Sequence, residues 1–341
     1  MMKGVQAYRA HPYERVPGDT EILWQEGSVK LLALQEADVA RDTKKDVPVI
    51  LLIPSLINRA FIFDLKKERS FLRWLNGQGA KAYLLDWGEL SEDQDLHCVE
   101  DVIEKYLLAA TRYLAEKEGR PVHALGYCLG GTLLVGAAAH TPSLFSSLTL
   151  LAAPWDFHAG SQALLKRVQF WTLSALQAID VEKKMPPEWV QALFASLDPM
   201  FTVEKFSKFS QMDQGAEEAE LFVAVEDWLN DGVALPAGVA KECIENWFLK
   251  NETGEEAWCI SGQNVGPQNL PMPVCVVTSR KDRLVEYETA IPLAKNIPGA
   301  EILDPECGHI GMIAGRNSVE NVWPKILDFI YRHDTCKVPA A

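Results

Sequence analysis

The six residues Gly126-Tyr127-Cys128-Leu129-Gly130-Gly131 constrain this fold more than any other part of the chain. They follow a short apolar run, PVHALGY, and lead into GGTLLVGAAAH, which reads as a helix. This is the G-x-S-x-G elbow pattern with Cys in the Ser position. On such an elbow the nucleophile occupies a strained, tight turn. Gly126 and Gly130 then remove Cβ atoms that would collide with neighbouring backbone. The thiol would stand above the end of a sheet, beside a helix N-terminus whose dipole favours negative charge. The Leu129 N–H would point where a tetrahedral oxyanion forms. The alternative is a packed cysteine in a Gly-rich turn, and the remaining sequence bears on that choice.

Around the elbow, short apolar runs alternate with helical patterns. VPVILLIPSL (47–56), AKAYLLDW (80–87), PVHALGY (121–127), SSLTLLAA (146–153), MPVCVVTS (272–279) and GAEILD (299–304) read as strands. Helical spacing marks 69–79, 98–117, ETAIPLAKNI and a closing helix at 318–333. TEILWQEGSVKLLAL suggests an early hairpin within an otherwise polar, mixed segment 1–46. The alternation implies a mostly parallel sheet with helices on both faces, wound through right-handed crossovers. Residues 155–262 break the rhythm: they hold six tryptophans (155, 171, 189, 228, 247 and 258), many helical stretches and no convincing buried strand. They read as a helical cap inserted into a core made of 1–154 and 263–341.

An elbow nucleophile needs an acid and a histidine, in that chain order. Asp282 lies just past the strand VCVVTS, and His309 lies in the loop Cys307-Gly308-His309 before the final helix. The long gap between Cys128 and Asp282 is what a cap insertion produces. All three fall at carboxyl ends of strands, where sites in open α/β sheets gather. Taken singly, Asp282 could be a turn residue and His309 a satisfied loop histidine; the order and context favour a Cys-His-Asp triad. His123, inside a strand, reads as a packed core histidine, and His11, His97, His140 and His333 as surface residues. His158 is a weaker candidate for lining the cleft. The remaining cysteines read mostly as small hydrophobes, Cys307 included, and the cap tryptophans as core.

Composition narrows the function classes. With 33 Lys and Arg against 47 Asp and Glu, the net charge of −14 argues against general binding to nucleic acid or anionic membrane. No apolar stretch has the length of a membrane helix, and the N-terminal segment lacks a secretory apolar block. Seven scattered cysteines without a C-x-x-C pair suit a reducing cytosol rather than a disulfide framework or a zinc site.

The chain resembles the polyhydroxyalkanoate synthases, cysteine enzymes on the α/β-hydrolase fold that polymerise 3-hydroxyacyl-CoA thioesters. The likeness rests on GYCLGGTLL, on IPSLINRAFIFDLKKERSFLRWLNGQG with Asn58-Arg59 and Asp64-Leu65, and on AYLLDWGEL. APWDFH, VEDWLNDG, the Asn-Trp-Phe of IENWFLKN, TSRKDRLV and CGHIGMIAG add to it, over roughly residues 47–315. The resemblance implies an α/β-hydrolase fold in which Cys128 is acylated, His309 is its base, and Asp282 orients His309 or helps it activate the incoming 3-hydroxyl. A second oxyanion donor, beside Leu129, would come from backbone after Pro54 and is assigned to Leu56. No cofactor or metal is implied, since the CoA thioester enters as substrate. The implied partners are 3-hydroxyacyl-CoA, the polyester granule surface, and either a second copy or a second synthase subunit, in the cytoplasm. Two departures stand out. The length is that of the short catalytic subunits, and Arg283 follows the acid where the family often has His. A cysteine hydrolase of polyester, lactone or thioester is the competing reading, and a catalytically weak protein of the granule surface is the third.

Overall fold

The computed structural model describes residues 1–35, 47–93 and 95–334. Its centre is an eight-stranded sheet. Numbered along the chain, the strands are β1 (Thr20–Glu26), β2 (Val29–Leu34), β3 (Val49–Ile53), β4 (Lys81–Asp86), β5 (Val122–Tyr127), β6 (Phe145–Leu151), β7 (Val274–Val277) and β8 (Glu301–Leu303). They lie in the order β1-β2-β4-β3-β5-β6-β7-β8. From β4 to β8 every neighbouring pair is parallel, whereas the β1–β2 hairpin adds an antiparallel edge through β2 and β4. The apolar runs of the sequence thus become strands, buried on both faces except at the edge, where Ile302 of β8 is exposed. All five residues of β3 are fully covered, which stabilises the sheet centre by about 1.5–3 kcal/mol for each large side chain.

The chain crosses between parallel strands through helices. The helix that begins at Val99 runs to Glu118 and stops at Gly119, whose φ of +69° supplies the left-handed cap. Ser70 caps Phe71–Gly77 by accepting from the Arg73 N–H at 3.0 Å. The closing helix differs from the single span that the spacing suggests. It comes in two pieces, Ser318–Asn321 and Trp323–Arg332, broken at Val322. Pro324 explains the break: it has no N–H to donate and its ring crowds the preceding turn.

We label four helices further: α1 (Met2–Ala10), α2 (Leu129–His140), α3 (Gln162–Glu182) and α4 (Pro199–Phe209). The α1 helix was not visible in the pattern of the polar N-terminal segment. It forms because it has somewhere to dock: a Cβ on Gly4 would fall 1.8 Å from the Phe206 carbonyl oxygen, so only glycine allows α1 to lie this close to α4.

Between β6 and β7 the chain is helical, with short two-residue pairings such as Lys184–Met185 against Leu235–Pro236. This segment packs in two ways. Residues near its end press onto the core, with Trp258 against Gly136 of α2 and packed against both Trp155 and Trp247. The α3 and α4 helices instead present Phe170, Leu173, Val181, Met200 and Phe201 to solvent. Among the described residues no helix is long and apolar enough to cross a membrane. Cys336 lies outside the described residues.

Candidate active site

Cys128 sits between β5 and α2 with φ +54° and ψ −128°, backbone that residues with a side chain rarely adopt. Its surroundings fix that strain. The Cys128 N–H donates to the Leu151 carbonyl at 2.9 Å, and the Cys128 carbonyl accepts from the Gly131 N–H at 2.9 Å. A Cβ on Gly126 would lie 2.5 Å from Gly131 Cα, and one on Gly130 would lie 2.3 Å from the Pro54 carbonyl oxygen. Both obstacles are backbone and cannot rotate away. Gly130→Ala is therefore expected to cost about 3 kcal/mol or more. In a thermal melt this reads as a midpoint lower by about 4 °C or more; an unchanged midpoint would contradict the packing.

Asp282 and His309 converge on the elbow from the loops after β7 and β8. His309 Nδ1–H donates to Asp282 Oδ2 at 2.8 Å. The other carboxylate oxygen accepts from the Leu284 N–H at 2.8 Å and the Val285 N–H at 3.0 Å, which holds the acid in place. With Nδ1 committed to Asp282, Nε2 is the ring nitrogen left for a second partner. All three residues are buried. Burial opposes a charged imidazole, yet the Asp282 carboxylate and the Cys128 sulfur outweigh it, and the His309 pKa is pushed up to about 10. Tyr127 packs its ring 5.0 Å from the imidazole and donates its hydroxyl to the His309 carbonyl at 3.3 Å. That support is visible in the sequence only as the residue before the cysteine.

Cys128, Leu129 and Asp282 line a cavity of about 770 Å³. Most of its wall is apolar and comes from the segment between β6 and β7, including Leu164, Val168, Trp171, Trp189, Leu193 and Phe248. Trp171 and Trp189 thus face the cavity, while Trp155, Trp228, Trp247 and Trp258 are core as expected. Leu56 is buried in the loop after β3, and its neighbour Ile57 reaches the cavity. The same loop grips the helical segment. The Ile57 carbonyl accepts from the Val233 N–H at 3.1 Å and the Arg59 carbonyl from Trp228 Nε1–H at 2.8 Å. Arg59 also pairs with Asp231 at 3.1 Å and with Glu89 at 2.5 Å. These contacts explain why Asn58-Arg59 and VEDWLNDG occur together.

The other histidines take structural places. His158 does not line the cavity; its Nε2 bonds the Phe248 carbonyl at 2.9 Å, which turns the ring away into the packing. His123 is a buried strand residue bonded to Ser147 Oγ at 2.7 Å, its pKa lowered to about 4 chiefly by burial. Among the cysteines, Cys243 lines the cavity, Cys275 is core, Cys307 is half-buried and Cys259 is exposed, the last against expectation. Cys259 sits in a two-residue strand of a small hairpin whose outward face is solvated. The cations Arg280 and Arg283 flank the acid in TSRKDRLV and also line the cavity, as does the carboxylate of Asp198 opposite, which had no signal of its own in the sequence.

Residues 48–315 match the alpha/beta hydrolase fold family. The poly(3-hydroxyalkanoate) polymerase subunit PhaC of Haloferax mediterranei is 28% identical over 320 residues, which is 92% of this chain and 64% of that one. The chain therefore spans less than two thirds of that relative. The subunit of the same name from Allochromatium vinosum is 25% identical over 300 residues, covering 86% of this chain and 84% of that one. Among solved structures, a thermophilic esterase from Thermogutta terrifontis aligns with a TM-score of 0.55 at 15% identity, over 95% of this chain and 100% of that one. At that identity the likeness is one of fold.

Proposed function

The chain belongs to the alpha/beta hydrolase fold family, and within it we propose an acyltransferase of the polyhydroxyalkanoate synthase type, acting on 3-hydroxyacyl-CoA through Cys128. The carrying observation is that the Cys128 elbow, with a His309–Asp282 pair behind it, opens into a large cavity walled mainly by hydrophobic side chains. Apolar walls suit an acyl chain and keep water from an enzyme thioester. The similarity to polymerase subunits over most of the chain supports the same reading.

In this mechanism the Cys128 sulfur attacks the thioester carbonyl as its proton passes to His309. The Leu129 N–H, with the Leu56 N–H as the proposed second donor, stabilises the oxyanion. Collapse breaks the bond to the CoA sulfur, which leaves with the proton from His309 as free CoA. The acyl group is now a thioester of Cys128. His309 then takes the proton of an incoming 3-hydroxyl, whose oxygen attacks that thioester; an ester forms and the Cys128 sulfur is released. Asp282 holds Nδ1–H throughout, so that Nε2 faces the reaction. The stretch 155–262 serves as the cap that encloses the site.

The test is incubation with a 3-hydroxyacyl-CoA while free CoA and polymer mass are followed together. Polymer growing in step with free CoA is expected. Free CoA with only monomeric acid would make the protein a hydrolase. Polyester binding without CoA release would make it a granule-surface protein.

A further inference from the structure

The loop that carries Asp282 brings Arg280 and Arg283 into the cavity lining, and among the described residues they are its only cations. Both stand at the solvent side, with side chains 69% and 76% exposed. The Arg280 guanidinium carbon lies 4.3 Å from the centroid of the Tyr287 ring, and its Nε is 3.4 Å from Asp304 Oδ2. Arg283 reaches across to the helical segment, where its Nη1 is 2.7 Å from Asp198 Oδ2. The second Asp198 oxygen caps α4 by accepting from the Phe201 N–H at 3.1 Å. The other carboxylates of the lining are Asp282, engaged with His309, Glu286, which accepts from the Ser161 N–H, and the exposed Glu288.

We propose that Arg280 and Arg283 form the site for the phosphate groups of the CoA leaving group, with Asp198 as an internal anion that occupies Arg283 until the ligand arrives. This deepens the acyltransferase reading and rests on it. A chain of net charge −14 repels an anionic thioester at long range, so binding needs cations at the cavity itself. An exposed Arg–Asp pair is weak, because water and salt screen it. A phosphate offers the guanidinium more charge and a bidentate partner, and so displaces a single carboxylate. The displacement also frees the junction before α4, which couples arrival of the ligand to the wall of the cavity.

The experiment is calorimetric titration of the full chain with CoA, and with pantetheine, which lacks the phosphates. Wild type is expected to bind CoA at least about tenfold more tightly than pantetheine, the scale of one or two charge-assisted hydrogen bonds. Arg283→Gln and Arg280→Gln should each weaken CoA binding by about tenfold, while Arg283→Lys retains part of it. Asp198→Asn should tighten CoA binding several-fold, since it removes the competitor. The opposite signs matter, because a variant that merely damaged the fold would weaken binding in both cases. Asp198→Asn binding no tighter than wild type, or Arg283→Gln binding as tightly, overturns the site. Wild type that binds CoA through these arginines but releases none from an acyl-CoA overturns the acyltransferase reading and leaves the site standing.

Discussion

Cys128→Ala is expected to abolish release of CoA from a 3-hydroxyacyl-CoA, by roughly 10⁴- to 10⁶-fold, the scale seen when a nucleophile is removed from a triad. The argument is one of position and of thiol chemistry. Among the described cysteines only Cys128 combines the positive-φ elbow backbone with an influence on an imidazole, the His309 ring whose pKa its sulfur helps to raise. The others are held as thiols: burial pushes Cys98 and Cys307 up to about 11 and Cys275 up to about 12, and raises Cys243 further. Cys259 is exposed on its hairpin, away from the cavity lining. An acyl-CoA without the 3-hydroxyl makes the point visible. It can acylate the enzyme but cannot accept a second acyl group, so an adduct should accumulate and appear in the intact mass of wild type. The adduct should be absent from Cys128→Ala, and one that persisted there would place the nucleophile elsewhere. Alanine keeps a Cβ on the strained backbone, so the variant retains the wild-type packing around the elbow and should melt close to wild type.

Most of what such a test relies on is legible in the sequence, for a physical reason. Strands buried on both faces must be continuous apolar runs, so VILLI, AYLLD, VHALGY and SSLTLL announce β3 to β6 without help from tertiary context. The elbow glycines are equally legible, because backbone on either side leaves no room for a Cβ. The chain order Cys128, Asp282, His309 then names residues whose meeting the structure shows for Asp282 and His309 at 2.8 Å.

What escapes the sequence depends on packing between distant segments. The α1 helix has no apolar periodicity of its own and exists through its contact with Phe206, with Gly4 as its one trace. Whether a cap tryptophan faces the core or the cavity is decided by how its helix rotates, so Trp171 and Trp258 look alike in sequence and have opposite surroundings. Asp198 carries no motif at all; its meaning arises only because Arg283 lies across from it. His158 misleads for the mirror-image reason, since a place just after a strand end resembles a site position while Phe248 holds the ring elsewhere.

The second large effect concerns the pair behind the sulfur. His309→Ala should slow single-turnover release of CoA by about 10²- to 10⁴-fold, the usual reach of a general base, and Asp282→Asn should fall in the same range by misorienting the ring. Asp282→Asn also carries a signature in stability. An imidazole in an unfolded chain titrates near 6.5, whereas folded His309 is pushed up to about 10, with Asp282 the larger of the two groups that outweigh burial. The folded state therefore holds the proton more tightly. The stability this contributes is fully present below pH 6.5 and is lost as pH rises through about 10. Without the carboxylate the larger of the two raising influences is gone, so the folded variant holds the His309 proton less tightly than wild type and loses that contribution. The difference in melting temperature between wild type and Asp282→Asn should accordingly be widest near pH 6 and narrow toward pH 10. A gap that stays constant over that range would mean that Asp282 supports the loop through the Leu284 and Val285 N–H groups alone and does not hold a charge on His309.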